Sequence, residues 1–250
     1  MWEYRELIRN LTIAELKNRY QNTSLGFFWS ILSPLLFASV LFFVFRKVYT
    51  QEPNFALDLI VGIMAYRFFS TGTATCLSSI VSKATLVTKV YIPRQILVLS
   101  GALSTLIASL LEFIILFPIV YVLIGHIPVT ILLYPVIHLL FFLPVYGIGL
   151  LLSSLFVYFR DLGQIWEFML NILLYLSPII YPLYVVPPNL KTYYMFNPIT
   201  RVVISYRDIM IYGNLPSGEA LIIIVVFGAA ALLLGNYLFS RLQRRFAEEI

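Results

Sequence analysis

From Leu25 to Phe45 the chain carries an almost unbroken apolar run, closed by Arg46 and Lys47. At about 1.5 Å per residue, a helix of that length crosses the roughly 30 Å hydrocarbon core of a bilayer. A backbone in hydrocarbon must satisfy its own N–H and C=O groups, which leaves only helices and closed barrels. The run is continuous rather than alternating, and this favours a helix over a barrel strand. Trp29 stands near its start, where an indole prefers the headgroup layer. A cleaved signal peptide fits poorly. The run is too long, no small-residue cleavage site follows, and the residues before it have helical spacing.

The pattern recurs along the chain. Six spans are expected, roughly 26–45, 57–81, 96–124, 130–158, 165–186 and 219–240. The third and fourth exceed a bilayer width and are expected to tilt or protrude. Only 12% of the residues are charged and 60% are hydrophobic, against about 25% charged in soluble domains. The fold class is therefore an all-α integral membrane protein. With the N-terminus in the cytosol, eleven Lys and Arg fall inside and five outside, with Arg67 left within a span. The positive-inside rule then places both termini in the cytosol. The basic residues form no stripe, which argues against nucleic acid. A single cysteine, Cys76, excludes an intrachain disulfide and a multi-cysteine metal site. His126 and His138 have no carboxylate or cysteine nearby in sequence and are expected to be interfacial rather than metal ligands.

Residues 1–24 form an amphipathic segment, with Leu7, Ile8, Leu11 and Ala14 at helical spacing. Thr12 and Glu15 have capping-box spacing, so a second short helix is expected to start at Thr12. The segment either lies on the membrane or also braces a cytosolic partner. Between spans two and three, residues 82–95 place Leu86, Val90 and Tyr91 on one face of a short helix that Pro93 ends. A loop held by its lysines on anionic lipid and a handle for a cytosolic partner are equally supported by the physics. Asp161 precedes the fifth span, where a negative charge suits the helix dipole. Ser177-Pro178 and Tyr181-Pro182 break that span near its outer end. Asn197-Pro198 opens a helix to Tyr212, with Arg201, Ser205 and Asp208 on one face. Inside the spans, Arg67 and Glu112 lie roughly 21 and 24 Å from the same side. A lone charge there costs at least about 2.5 kcal/mol. An Arg67–Glu112 ion pair is one expectation, Arg67 facing an anionic ligand in a pore is another, and one or both facing a wet crevice unpaired is the third.

Five motifs, in order, carry a resemblance. Arg19, Tyr20, Thr23 (or Ser24), Leu25, Gly26, Trp29 and Pro34 form the first. Lys89, Pro93, Arg94 and Ser100 form the second, with Ile92 at its usual aromatic position and Tyr91 beside it. Then come Phe159-Arg160-Asp161-Leu162, the run from Ser177 to Tyr181, and Asn197-Pro198-Ile199 with Tyr206-Arg207-Asp208-Ile209. Together they resemble the ABC-2 type permeases that export O-antigen, capsule and teichoic-acid polymers. Where that family often shows Gly-x-x-Pro-Trp, this chain has Gly62 to Tyr66 followed by Arg67.

The resemblance implies one domain over residues 1–250, with 82–95 as the cytosolic coupling segment and 187–217 as outer re-entrant helices. It implies a homodimer with its pore on the two-fold axis and a dimer of a separate ATPase on the cytosolic loops. The substrate would be a polysaccharide on a lipid diphosphate, entering between spans one and five. Arg19, Lys83, Lys89, Tyr91, Pro93 and Arg94 are the expected coupling residues. Tyr20, Trp29, Tyr66, Arg67, Tyr175 and Tyr181 would line the channel. Asn197, Pro198, Arg201, Tyr206, Arg207 and Asp208 would form the outer gate. The sequence contains no G-x-x-x-x-G-K-[ST], so no cofactor is expected on this chain, and ATP and Mg²⁺ are expected on the partner. An exporter of a small amphiphile is the nearest alternative. A membrane glycosyl or lipid transferase would need a carboxylate cluster that the sequence does not show.

Overall fold

The computed structural model describes residues 4–21, 26–49, 52–90 and 92–249, apart from the side chains of Ala247 and Glu248. Thr23, Ser24 and Leu25 of the first motif, and Tyr91 of the coupling segment, lie outside the described residues. The helices are α1 (Arg5–Tyr20), α2 (Phe28–Phe45), α3 (Phe55–Ser78), α4 (Ala84–Lys89), α5 (Gln95–Ile124) and α6 (Tyr134–Phe156). They continue with α7 (Leu162–Tyr175), α8 (Pro188–Phe196), α9 (Pro198–Arg207), α10 (Gly218–Leu242) and α11 (Phe246–Glu249). No strand occurs among the described residues.

Five helical stretches are long and apolar enough to cross a membrane: Phe28–Phe45, Phe55–Ser78, Gln95–Ile124, Val129–Phe156 and Gly218–Arg245. The protein is a multi-pass membrane protein. Helix α7 covers the first part of the expected fifth span. Its 14 residues reach about 21 Å, and turns follow where the two prolines stand.

Helix α3 is the centre of the bundle, in contact with α2, α5, α6, α7 and α9. Leu59, Val61 and Phe68 on it are fully or almost fully buried. Helices α2 and α10 are peripheral, with Phe43 80% and Leu233 74% exposed. Such apolar exposure is what a surface facing lipid or another helix requires.

The most extensive helix contact joins α6 and α10, and it depends on glycine. A Cβ on Gly235 would lie 2.2 Å from the Gly147 carbonyl oxygen, and one on Gly147 would lie 2.5 Å from the backbone of Ala231 and Leu232. Without side chains here the two backbones approach closely, which is how apolar helices gain van der Waals contact when no hydrophobic effect separates them from lipid.

At the end of the bundle carrying α1, α4 and the C-terminus, three local expectations are corrected. Helix α1 runs unbroken through Thr12, whose hydroxyl donates back to the Ile8 carbonyl at 2.7 Å instead of starting a new helix. In the 82–95 segment the buried apolar side chain is Val87, whereas Val90 is 47% exposed. The cause is that Val90 lies past the last residue of α4, in extended backbone (φ −123°, ψ 130°), and so leaves the helix face. The segment does form a helix, but it ends at Lys89, before Pro93. At the opposite end Asn197 caps α9, its side-chain oxygen accepting from the Ile199 N–H at 3.0 Å, as the Asn-Pro pair predicts. The expected helix to Tyr212 continues past Arg207 as a π-turn, Asp208–Tyr212.

Candidate functional site

Half-way along α3 and α5 a cleft of about 300 Å³ opens beside α1 and the start of α2. Its charged residues are Arg19, Arg67 and Glu112, with Tyr20 and Trp29 also on its wall. Arg19, expected with the coupling segment, is placed here instead. Its guanidinium donates to Thr75 Oγ1 at 3.2 Å and Thr105 Oγ1 at 3.3 Å. The cause is the course of α1, which packs along α5 and so carries its last turn up to the middle of the bundle. Trp29 is 48% exposed, and Tyr20 meets Phe27 edge-on at 5.2 Å.

The expected Arg67–Glu112 ion pair is not formed. Among the described residues ion pairs join Arg5 and Arg9 to Glu6, Lys83 to Glu15, Arg201 to Glu219 and Arg207 to Asp58. Both residues open onto the same cleft. Their side chains share space rather than a bond, which leaves cation and carboxylate able to meet a ligand or water.

The other expected channel aromatics do not converge on this cleft. Tyr66 is buried and its hydroxyl donates to the Leu170 carbonyl, which ties α3 to α7. Tyr175 is 65% exposed. Tyr181 belongs to a second pocket at the far end, with Asp58, Arg207, Asp208 and Tyr212. Its hydroxyl donates to the Tyr175 carbonyl at 2.6 Å.

In that far-end pocket Arg207 is the organising group. It donates to the carbonyls of Asp58 (3.0 and 3.2 Å), Pro178 (2.9 Å) and Ile179 (3.1 Å) and pairs with Asp58 Oδ1 at 3.4 Å. One side chain thus pins α9 to the first turn of α3 and to the broken segment after α7. Asn197 Nδ2 donates to Ser177 Oγ at 3.0 Å, and Arg201 donates to the Met195 carbonyl at 2.7 Å and pairs with Glu219. Pro198 is the first residue of α9. Of the expected gate residues, Arg207 and Asp208 line this pocket, whereas Tyr206 turns inward to His138. Burial holds the Asp208 carboxyl above its usual range. Burial, with the Asp58 carboxylate, pushes the Tyr212 phenol well up.

Lys83, Lys89, Pro93 and Arg94, expected as coupling residues, sit on the opposite end. Lys83 pairs with Glu15, bracing α4 against α1. Lys89 and Pro93 are exposed, whereas Arg94 turns inward. Its guanidinium donates to the Gln243 carbonyl and lies 5.9 Å from the ring centroid of Phe246. A groove of about 660 Å³ runs between this segment and the chain end, along Lys89, Pro93, Arg94 and Arg244. We expect Glu15→Lys to loosen α1 by about 1 kcal/mol and the swap Glu15→Lys with Lys83→Glu to restore it. Limited proteolysis of the N-terminal segment reads both. Equal cleavage of parent and single variant would exclude the brace.

Sequence reasoning missed one centre. His138 is fully buried, not interfacial. Its Nε2 lies 2.6 Å from Ser109 Oγ, and its Nδ1 lies 2.6 Å from the Tyr206 hydroxyl and 3.0 Å from that of Tyr134. Asp58 was missed as well, because it stands at the edge of a span where a carboxylate needs no explanation. Among the described residues no group of His, Cys, Asp and Glu has the grouping a metal ion needs.

Comparison with known proteins agrees with these features. A family profile described as ABC-2 type transporter matches residues 6–211. The chain is 30% identical over its full length to the O-antigen export system permease protein RfbA of Myxococcus xanthus, covering 97% of that protein. It is 28% identical over 97% of its length to a protein of the same name from Klebsiella pneumoniae, covering 94% of it. It is 24% identical over 93% of its length to the polysialic acid transport protein KpsM of Escherichia coli, covering 92% of it.

Proposed function

The chain belongs to the ABC-2 type transporter family, and we propose that it is the membrane-spanning subunit of an exporter of lipid-linked polysaccharide, of O-antigen or capsule type. The similarity to O-antigen export permeases over nearly the whole of both chains supports this reading. A separate ATPase dimer, holding ATP and Mg²⁺, drives it from the exposed face of α4 around Lys89. Two copies of the chain form the pore across the broad apolar faces of α2 and α10 or their neighbours. Helix α7 with the broken segment 176–186 makes the sixth crossing, and α8 and α9 dip into the membrane from outside. Both termini lie in the cytosol of a cell with this protein in its inner membrane.

The observation that carries the proposal is the cleft. Arg19 and Arg67 stand at mid-bundle among hydroxyls, with aromatic residues on the wall. Holding charge at that depth costs several kcal/mol unless water or a ligand meets it. A diphosphate between lipid and sugar supplies the anionic oxygens two guanidiniums suit, and Tyr20 and Trp29 offer flat faces to a sugar ring. Losing one charge-assisted bond costs about 1.5–3 kcal/mol, or roughly ten- to a hundredfold in occupancy. Arg67→Ala and Arg19→Ala are therefore expected to cut surface polysaccharide at least about tenfold, with lipid-linked polymer accumulating inside and membrane insertion unchanged. Undiminished export from the double variant would overturn the assignment of the cleft.

A further inference from the structure

We propose that His138 is a positioning residue that couples the charged cleft to helix α9 and its π-turn at the far end of the bundle. Three helices meet at this side chain. Ser109 on α5 lines the cleft and lies 2.6 Å from His138 Nε2. Phe68 on α3 also lines the cleft, and its ring centroid is 4.2 Å from that of the imidazole. Tyr206 on α9 lies 2.6 Å from Nδ1. The next residue, Arg207, holds the first turn of α3 and the Pro178–Ile179 turn.

The Ser109 hydroxyl donates to the Leu106 carbonyl at 3.0 Å, so Ser109 Oγ accepts from Nε2–H. Neutral imidazole then has only an acceptor left at Nδ1, and the hydroxyls of Tyr206 (2.6 Å) and Tyr134 (3.0 Å) converge on it. His138, Tyr206 and Ser109 are all buried, at 0%, 0% and 4% exposure. The site is buried, and an orphaned buried polar group is costly. The three side chains therefore move together or lose stability together. An aliphatic residue at position 138 would fill the space but remove the polar link between α5 and α9, leaving the edge-on ring contact of Phe113 and Tyr206 at 5.5 Å.

The far end also offers an element able to respond. The π-turn Asp208–Tyr212 follows α9 directly, and such wide turns recur at functional sites because they repack readily. Ligand arrival in the cleft that shifts α5 at Ser109 would thus be felt at Tyr206, Arg207 and the turn beyond. The proposal rests on the cleft being the substrate site only for the signal it carries. The coupling itself belongs to the chain.

Spatial continuity alone does not demonstrate coupling, so the test is a cycle of substitutions on the full-length protein in lipid nanodiscs. The perturbation is Glu112→Gln, one helical turn beyond Ser109 on α5, and the readout is amide hydrogen exchange over residues 206–213. In the parent, Glu112→Gln is expected to change exchange there by about fivefold or more. In a Tyr206→Phe background, which removes one hydroxyl and keeps the ring, the response should fall below about twofold. His138→Gln retains a donor and an acceptor and should keep part of the response. If Tyr206→Phe does not fold, Ser109→Ala breaks the other bond of the same histidine. No response in the parent, or the same response in the Tyr206→Phe or Ser109→Ala background, would overturn the proposal. Because no substrate is used, its failure is distinct from failure of the Arg19 and Arg67 export assay.

Discussion

Replacing Arg207 with alanine is expected to destabilise the protein by about 3–5 kcal/mol, the usual cost of removing one partner of a buried ion pair. The guanidinium is 9% exposed at the residue level and serves the carbonyls of Asp58, Pro178 and Ile179 as well as the Asp58 carboxylate. Its loss leaves those acceptors without their donor, with only the Tyr212 hydroxyl, 3.2 Å from Asp58 Oδ2, remaining on the carboxylate. Arg207→Lys should recover little. An ammonium is a compact charge, and it cannot present the planar fork that reaches acceptors on both sides. Asp58→Asn should cost less than Arg207→Ala, because the four bonds to the three carbonyls survive. Thermal unfolding of purified protein in lipid nanodiscs orders the variants. A loss below about 1 kcal/mol for Arg207→Ala would show that water reaches these carbonyls and that Arg207 is not the pin of the far end.

The second large effect is expected at the α6–α10 contact. In Gly235→Leu the new Cβ would sit 2.2 Å from the Gly147 carbonyl oxygen and 3.2 Å from the Leu150 Cβ. The first neighbour is backbone and cannot rotate away, so the helices must separate along their whole contact. Overpacking of this kind costs about 1–3 kcal/mol, and the upper end is expected because a rigid atom is met. Gly218→Ala is the control. It lies at the start of the same helix, has nothing within 4 Å of its Cβ position, and should be neutral or slightly stabilising. Unfolding of Gly235→Leu at the parent temperature would mean that the two helices are not locked together.

Much of the chain's organisation was legible without coordinates, and the particular successes share a cause. Asn197-Pro198 starts a helix because the asparagine side chain and the proline ring each act within one turn. The prolines after Tyr175 break the chain locally, and the length of an apolar run measures depth directly. Site residues were less legible wherever their role depends on which neighbour they face. Lys89 stays exposed as expected, but Arg94 is drawn to the C-terminal turn by Gln243 and Phe246, residues about 150 positions away in the chain. Tyr66 and Arg67 are both expected in the channel, yet adjacent residues on a helix point to different sides. One meets α7 and the other the cleft.

The sequence by itself determined the membrane class, five of the six expected spans as long apolar helices, the breaks between them and the common level of Arg67 and Glu112. Depth accumulates at about 1.5 Å per residue, so a boundary error of two residues moves a group by only about 3 Å. That is why Arg67 and Glu112 were placed at one level and do open onto one cleft. Direction around the axis changes by about 100° per residue, so the same error turns a side chain to the opposite face. Only the tertiary structure decided that Arg19 rises into the cleft, that Arg67 and Glu112 share space without pairing, that Asp58 and Arg207 close the far end, and that His138 is buried among Ser109, Tyr134 and Tyr206. Each depends on helix rotation and tilt, which packing against distant helices fixes and local sequence does not.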